Sequence, residues 1–338
     1  MNIVDKDPTC FYHPTKIIFL DDNQEFLDAI KLEFDEKFNL LTLTSPDKAL
    51  EIINKYSEDT TRSLYKPIID DNVDARDYRI LGFDISKTLE LIYDKGRFEH
   101  TPVLVVDYEM PIINGIELCK KIKGNKSYKI MLTAEADKDT VIEAFNNGLI
   151  DKFILKTNKN LHSELALAVH DLTQRYFKEL SKSIVNGHAS LVNILSDNVP
   201  YQKLFAQVAV QAQAIEYYLV DNSGSILFLD KDAKDTWLII RHKDELKDQI
   251  DLLDGYDLPA PTRTSVTNKE QILFLLTEKE YKKPIDDWLK YLFDARKLDD
   301  SYYYSITQNY STDAIDWGKV TSYSSYIKER RGIEELLV

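Results

Sequence analysis

Residues 101–118 read TPVLVVDYEMPIINGIEL, and the run from Val103 to Val106 straight into Asp107 decides the fold class. A short apolar run rich in β-branched residues and closed by a polar loop is a strand buried on both faces. Residues 116–122 that follow have the spacing of a helix.

The same unit recurs on either side. Upstream, residues 16–20 (KIIFL) form an apolar run ending in Asp21 and Asp22. Phe26, Leu27, Ile30, Phe34 and Phe38 then recur at helical spacing. A second strand over 40–44 meets a capping serine, Ser45, with Pro46 behind it and a helix through Ala49, Leu50, Ile52 and Ile53. Downstream, residues 130–132 (IML) run into Thr133 and residues 153–155 (FIL) into Lys156, with a helix over 140–147 between them. Five buried strands alternating with helices predict an α/β fold, a doubly wound five-stranded parallel sheet covered on both faces. Ligands of such sheets bind beyond the carboxyl ends of the strands. That is where the sequence places Asp21, Asp22, Asp107, Thr133 and Lys156.

These residue types suit one chemistry. Three carboxylates gathered at one sheet edge repel unless a divalent cation sits among them. Mg²⁺ takes hard oxygen ligands and commonly bridges carboxylates to phosphate. Asp107 is then placed to attack phosphorus and form an aspartyl phosphate, with Lys156 and Thr133 holding the transferred oxygens.

FLDDN (19–23), VVDYEMPIINGIEL (105–118), MLTAEAD (131–137) and FILK (153–156) resemble, in order, the signature segments of bacterial response-regulator receiver domains. The resemblance covers about half the chain and implies a flavodoxin-like receiver. It implies Asp107 as phosphoacceptor and Mg²⁺ held by Asp21, Asp22, Asp107 and the backbone carbonyl of Glu109. Thr133 becomes the switch hydroxyl, Phe153 the switch aromatic and Lys156 the phosphate partner, while the side chains of Glu109 and Glu135 tune attack by water. The implied partners are a sensor histidine kinase and, on phosphorylation, a second copy of the chain. Two departures stand out. Thr157 replaces the proline that usually follows the lysine, and about 40 extra residues follow the second helix. The segment ISKTLELIYDKGRFEH (85–100) resembles an atypical receiver subgroup associated with autoinducer-sensing kinases, which points to quorum sensing.

A length of 338 residues accommodates two domains. We place the receiver at 14–183, including the insertion 56–101 and a long final helix from Leu161. A linker follows at 184–200, marked by Gly187, Asn193, Asn198 and Pro200, and then an output domain at 201–338. The insertion is polar and irregular, with a short helix over 85–93. In the output domain, strands at 215–220 and 226–229 flank the turn Asp221-Asn222-Ser223-Gly224-Ser225. Further strands fall at 271–277 and 301–308, with a helix over 285–298 between them. This mixed α+β pattern weakly resembles PAS-like sensor domains, so a ligand or protein partner is expected there. A transcription factor with an unfamiliar DNA-binding output, or a nucleotide-binding or enzymatic output, is the alternative.

Composition narrows the choice. A net charge of −14 and a pI near 5.0 disfavour a large DNA footprint or an anionic membrane surface. Cys10 and Cys119 are too far apart in sequence to suggest a metal-ligand pair, and with no apolar run of membrane-spanning length the expected location is cytoplasmic. The six histidines show no metal spacing, and Tyr217, Tyr218, Tyr302, Tyr303 and Tyr304 read as strand packing. Lys328, Arg330 and Arg331 read as a solvated helix end. No turnover chemistry beyond the receiver's own phosphoryl transfer is expected.

Overall fold

The computed structural model describes residues 8–34, 38–55, 67–69, 80–83, 87–122, 127–134, 138–187, 189–254, 259–308 and 310–336. The chain divides into two compact units. The first comprises residues 13–62 and 95–180; the second comprises 2–12, 63–94 and 181–338.

The first unit is a five-stranded parallel sheet. Its strands are β1 (Lys16–Leu20), β2 (Asn39–Leu43), β3 (Val103–Asp107), β4 (Tyr128–Thr133) and β5 (Lys152–Leu155), in the order β2-β1-β3-β4-β5. Side chains alternate across a strand, and here both sets are apolar. Ile17, Phe19, Val103, Val105, Ile130 and Leu132 face one core, while Ile18, Leu20, Leu104, Val106 and Met131 face the other. Helices α1 (Gln24–Phe34) and α5 (Leu161–Asn186) cover the first face through Leu27, Ile30, Phe34, Leu165 and Val169. Helices α2 (Pro46–Lys55), α3 (Gly115–Lys121) and α4 (Lys138–Asn146) cover the second through Ala49, Ile53, Leu118 and Val141. Each strand and helix expected here is present, with β1 at the expected residues and the other stated ends shifted by at most four.

The second unit is built on a six-stranded antiparallel sheet. It contains β6 (Glu216–Leu219), β7 (Ile226–Leu229), β8 (Asp235–His242), β11 (Arg296–Lys297) and β12 (Tyr302–Gln308). Strand Phe11–Tyr12 forms one edge against β6, and the order runs on through β7, β8 and β12 to β11. β9 (Gln271–Leu273) pairs with β10 (Leu292–Asp294) as a separate ladder. Strands Pro67–Ile69 and Ile80–Phe83 pair with each other.

Four expectations are corrected. The stretch 184–200 is not a linker. α5 runs on to Asn186, a helical turn at Ala189–Leu191 continues as a π-helix at Val192–Asp197, and α6 (Val199–Gln211) begins directly after Asn198. Asn198 caps α6 by accepting from the Tyr201 amide at 2.8 Å, and Pro200 sits in the first turn, where its missing N–H costs nothing. Residues that resembled linker punctuation are a cap and an opening turn. The insertion does not belong wholly to the first unit either, because residues 63–94 group with the second; there Thr88, buried, donates to the Leu219 carbonyl of β6. Finally, residues 285–298 are not one helix. A single turn at Ile285–Trp288 gives way to β10 and β11, as the buried Trp288 and Tyr291 anchor the segment and the chain then extends. Of the strand expected at 271–277, only Gln271–Leu273 is paired. β8, the longest strand in the unit and central to its sheet, went unforeseen despite the apolar run Trp237 to Ile240.

Candidate functional site

β1 has neighbours on both sides, β2 and β3, and each is reached by a crossover. The carboxyl ends of β1 and β3 therefore flank the point where strand order reverses, and a crevice opens there. Asp107 is the last residue of β3 and Asp21 follows β1 directly. Both are buried, Asp22 is exposed, and the three carboxylates place ligand oxygens within 4.8 Å of one another.

The backbone fixes these positions before the side chains act. The Asp21 amide donates to the Leu43 carbonyl of β2 at 3.2 Å, and Tyr108, just past Asp107, donates to the Leu132 carbonyl at 2.8 Å. Asp21 Oδ1 accepts from the Asn23 amide at 2.9 Å, and Asn23 in turn caps α1 by accepting from Phe26 at 3.1 Å. α3 starts against the strand end itself. A Cβ on Gly115 would lie 2.3 Å from the Asp107 carbonyl oxygen, so only glycine allows this approach.

Lys156, one residue past β5, reaches across the crevice. Its Nζ lies 2.7 Å from Asp21 Oδ2 and 2.9 Å from Asp107 Oδ1, and the ammonium also sits 5.1 Å from the Phe26 ring centroid. No cis peptide bond occurs among the described residues, so the lysine makes both contacts with a trans bond to Thr157. Asp21 Oδ2 is buried with no aligned hydrogen-bond donor and meets Lys156 as an ion pair.

Burial pushes the Asp107 carboxyl up to about 6; the Lys156 hydrogen bond opposes the shift and the neighbouring Asp21 and Asp22 charges add to it. For Lys156, burial works against the charged form, yet its contacts with Asp21 and Asp107 win and hold the ammonium above its ordinary range.

Thr133 ends β4, fully buried, and its hydroxyl donates to the Ala134 carbonyl at 3.0 Å. Its backbone carbonyl accepts from the Lys156 amide at 2.9 Å, which ties the hydroxyl's strand to the lysine's. Phe153 is half-buried on β5 and packs edge-to-face on Phe145 of α4, with centroids 6.0 Å apart. Glu109 is exposed in the loop beyond Asp107, and Glu135 lies outside the described residues. The structure thus brings Asp21, Asp22, Asp107 and Lys156 into one cluster, with Thr133 at the adjoining strand end. Sequence reasoning missed Asn23, whose signal was its place as a capping residue before the helical spacing of α1.

Hard carboxylate oxygens, one of them buried without an aligned donor, suit a small divalent cation such as Mg²⁺. Asp21, Asp22 and Asp107 would hold it.

The fold and this cluster define a class. The family model for the response regulator receiver domain matches residues 68–166, a span that contains Asp107, Thr133 and Lys156. The chain therefore carries a response-regulator receiver domain. Asp21 and Asp22 fall before the matched span because the inserted residues separate them from it. Chemotaxis protein CheY homologues of Campylobacter jejuni are 40% identical over 62 residues, 17% of this chain and 47% of theirs. CheY1 of Helicobacter pylori is 38% identical over 60 residues, 48% of its length. The match spans about half the length of these curated relatives.

Among solved structures, the response regulator LqsR of Legionella pneumophila resembles the present chain over 95% of both chains, with a TM-score of 0.74 and 28% identity. That likeness extends through both units. Among the described residues no helix is long and apolar enough to cross a membrane.

Proposed function

We propose that the chain is the response regulator of a two-component phosphorelay, accepting a phosphoryl group on Asp107 from the phosphohistidine of a sensor kinase. The observation that carries this reading is the ammonium of Lys156, held between Asp21 and Asp107 at the strand ends. An Asp107 carboxylate oxygen attacks phosphorus in line; the O–P bond forms as the P–N bond to the donor imidazole breaks, and the imidazole leaves with that electron pair. Bound Mg²⁺ supplies charge neutralisation between the carboxylates and the phosphoryl oxygens. Lys156 transfers its contact from the Asp107 carboxylate to a phosphoryl oxygen, and Thr133 turns its hydroxyl from the Ala134 carbonyl towards another. The carbonyl of Glu109 would complete the protein's share of the ligands to Mg²⁺, and the side chains of Glu109 and Glu135 would tune attack by water.

The inward movement of Thr133 and Phe153 alters the face made by α4, β5 and α5, where Phe145 is 44% exposed and Leu167 62% exposed. That face then pairs with a second copy or switches the second unit, which serves as output towards a ligand or protein partner. The likeness to LqsR, a response regulator, supports the reading at the level of the whole chain. Incubation with acetyl phosphate and Mg²⁺, read by intact mass and by light scattering, tests it. The expected result is one phosphoryl group, absent from Asp107→Asn, together with a rise in solution mass. Labelling that persists in Asp107→Asn overturns the acceptor assignment, and an unchanged mass with unchanged protection of α5 against hydrogen exchange overturns the switch.

A further inference from the structure

The turn that carries Lys156 is fixed along its backbone. Lys156 N–H donates to the Thr133 carbonyl at 2.9 Å, and Asn158 N–H donates to the Leu155 carbonyl at 3.0 Å, closing a turn around Lys156 and Thr157. Asn158 anchors that turn to the start of α5. Its Oδ1 accepts from the Asn160 amide at 2.8 Å, its Nδ2 donates to Glu164, and its carbonyl accepts from the Leu161 amide at 3.1 Å. These bonds set where the Lys156 backbone sits and leave its long side chain to be ordered by other contacts. An ammonium on a flexible stem keeps its rotamer freedom unless neighbours remove it, and with 29% of this side chain exposed, water competes for it.

The neighbours are Asp21, Asp107 and Phe26, with the Lys156 ammonium lying over the Phe26 ring. One turn presents both the ring and the first carboxylate. Asp21 Oδ1 accepts from the Asn23 amide and Asn23 Oδ1 accepts from the Phe26 amide, so the residue that caps α1 ties Asp21 to Phe26. Along α1, Leu27, Ile30 and Phe34 are buried in the core, whereas Phe26 is half-buried and packs only against its edge. Covering that edge asks for an apolar side chain of any kind. A π face turned to a cation is what an aromatic one adds.

We propose that Phe26 is a positioning residue for phosphoryl transfer, its ring face holding the Lys156 ammonium in the crevice while the lysine exchanges Asp107 for a phosphoryl oxygen. On the reading of Asp107 as acceptor, on which this role rests, Asp107 takes the phosphoryl group and Asp21 serves as a metal ligand. Both anionic contacts of the lysine are therefore reassigned during transfer. The neutral ring keeps its contact throughout, so it is the restraint that carries the lysine from one partner to the next.

Two measurements on the full chain test this role. In proton–carbon NMR spectra of the metal-free protein, the Lys156 ε-methylene protons, assigned by their loss in Lys156→Ala, are expected upfield of the other lysines through the ring current. They should rejoin the others in Phe26→Leu, which keeps apolar bulk and removes the ring. In labelling by acetyl phosphate with Mg²⁺, Phe26→Leu is expected to slow the rate about fivefold, and Phe26→Tyr, which keeps a ring, to bring it back to within about twofold of the parent. Added to Lys156→Ala, Phe26→Leu should change the rate no further, because a ring that acts through the lysine has nothing left to hold. Lysine protons that stay in place between parent and Phe26→Leu, labelling of Phe26→Leu at the parental rate, or the same slowing in the Lys156→Ala background overturns the proposal. Where Phe26→Leu does not fold, Phe26→Met takes its place. An unlabelled parent, or labelling that survives Asp107→Asn, overturns the receiver reading and this role with it; a parent labelled on Asp107 and matched by its Phe26→Leu variant overturns the role alone.

Discussion

At the residue scale, burial of Asp107 has a thermodynamic cost in the metal-free protein. Its folded carboxyl titrates near 6 against an ordinary value of 3.8, so the folded state holds the proton more tightly over that interval. The associated stability is fully present below about pH 4 and is lost as pH rises through about 6. A shift of this size is worth on the order of 3 kcal/mol. Asp107→Asn is therefore expected to be more stable than the parent at pH 7 without divalent cations, by about 1–3 kcal/mol in urea denaturation. The advantage should vanish near pH 4. Added Mg²⁺ should stabilise the parent more at pH 7 than at pH 5, where the proton competes for the carboxylate; equal shifts at both pH values would contradict the assignment. Ile112, in the loop past Asp107, sits at φ 76 and is fully exposed, a backbone conformation that costs a β-branched residue about 1–2 kcal/mol. Ile112→Gly should recover about 1 kcal/mol in the same measurement.

At the element scale, the approach of α3 to β3 is the tightest constraint on the site. Gly115→Ala would drive a methyl into the Asp107 carbonyl and is expected to cost about 2 kcal/mol or more while reducing phosphoryl labelling, because the carbonyl belongs to the proposed acceptor. In the second unit, Trp237 is fully buried on β8 and meets Tyr310 edge-to-face at 5.1 Å, so Trp237→Ala is expected to cost about 3–5 kcal/mol. What the sequence made legible follows the same physics. The central strands of the first unit are buried on both faces, so their apolar runs are unbroken; these runs, and the partly buried one of β5, end abruptly in Asp107, Thr133 or Lys156, and periodicity and site were visible together. β8 was missed because Asp235 and Thr236 open it and Arg241 and His242 close it, so its polar ends blurred the apolar centre. Residues 285–298 misled because single helical turns and short strands alternate within a span that spacing alone cannot divide.

On the scale of the whole molecule, two compact units imply two unfolding events, each with its own core. Calorimetry is expected to resolve a transition that Mg²⁺ raises from one that Mg²⁺ leaves in place. A single transition shifted as a whole would show the units to be thermodynamically fused.

The strand Phe11–Tyr12 gives that division an awkward anatomy. It precedes the first unit in sequence yet forms an edge of the second unit's sheet, and residues 63–94 join the same unit from the middle of the chain. No single cut can free either half intact. Gene fusion or deletion, the ordinary means by which modules are traded between proteins, would tear the second unit's fold here, so the two halves are constrained to be inherited together.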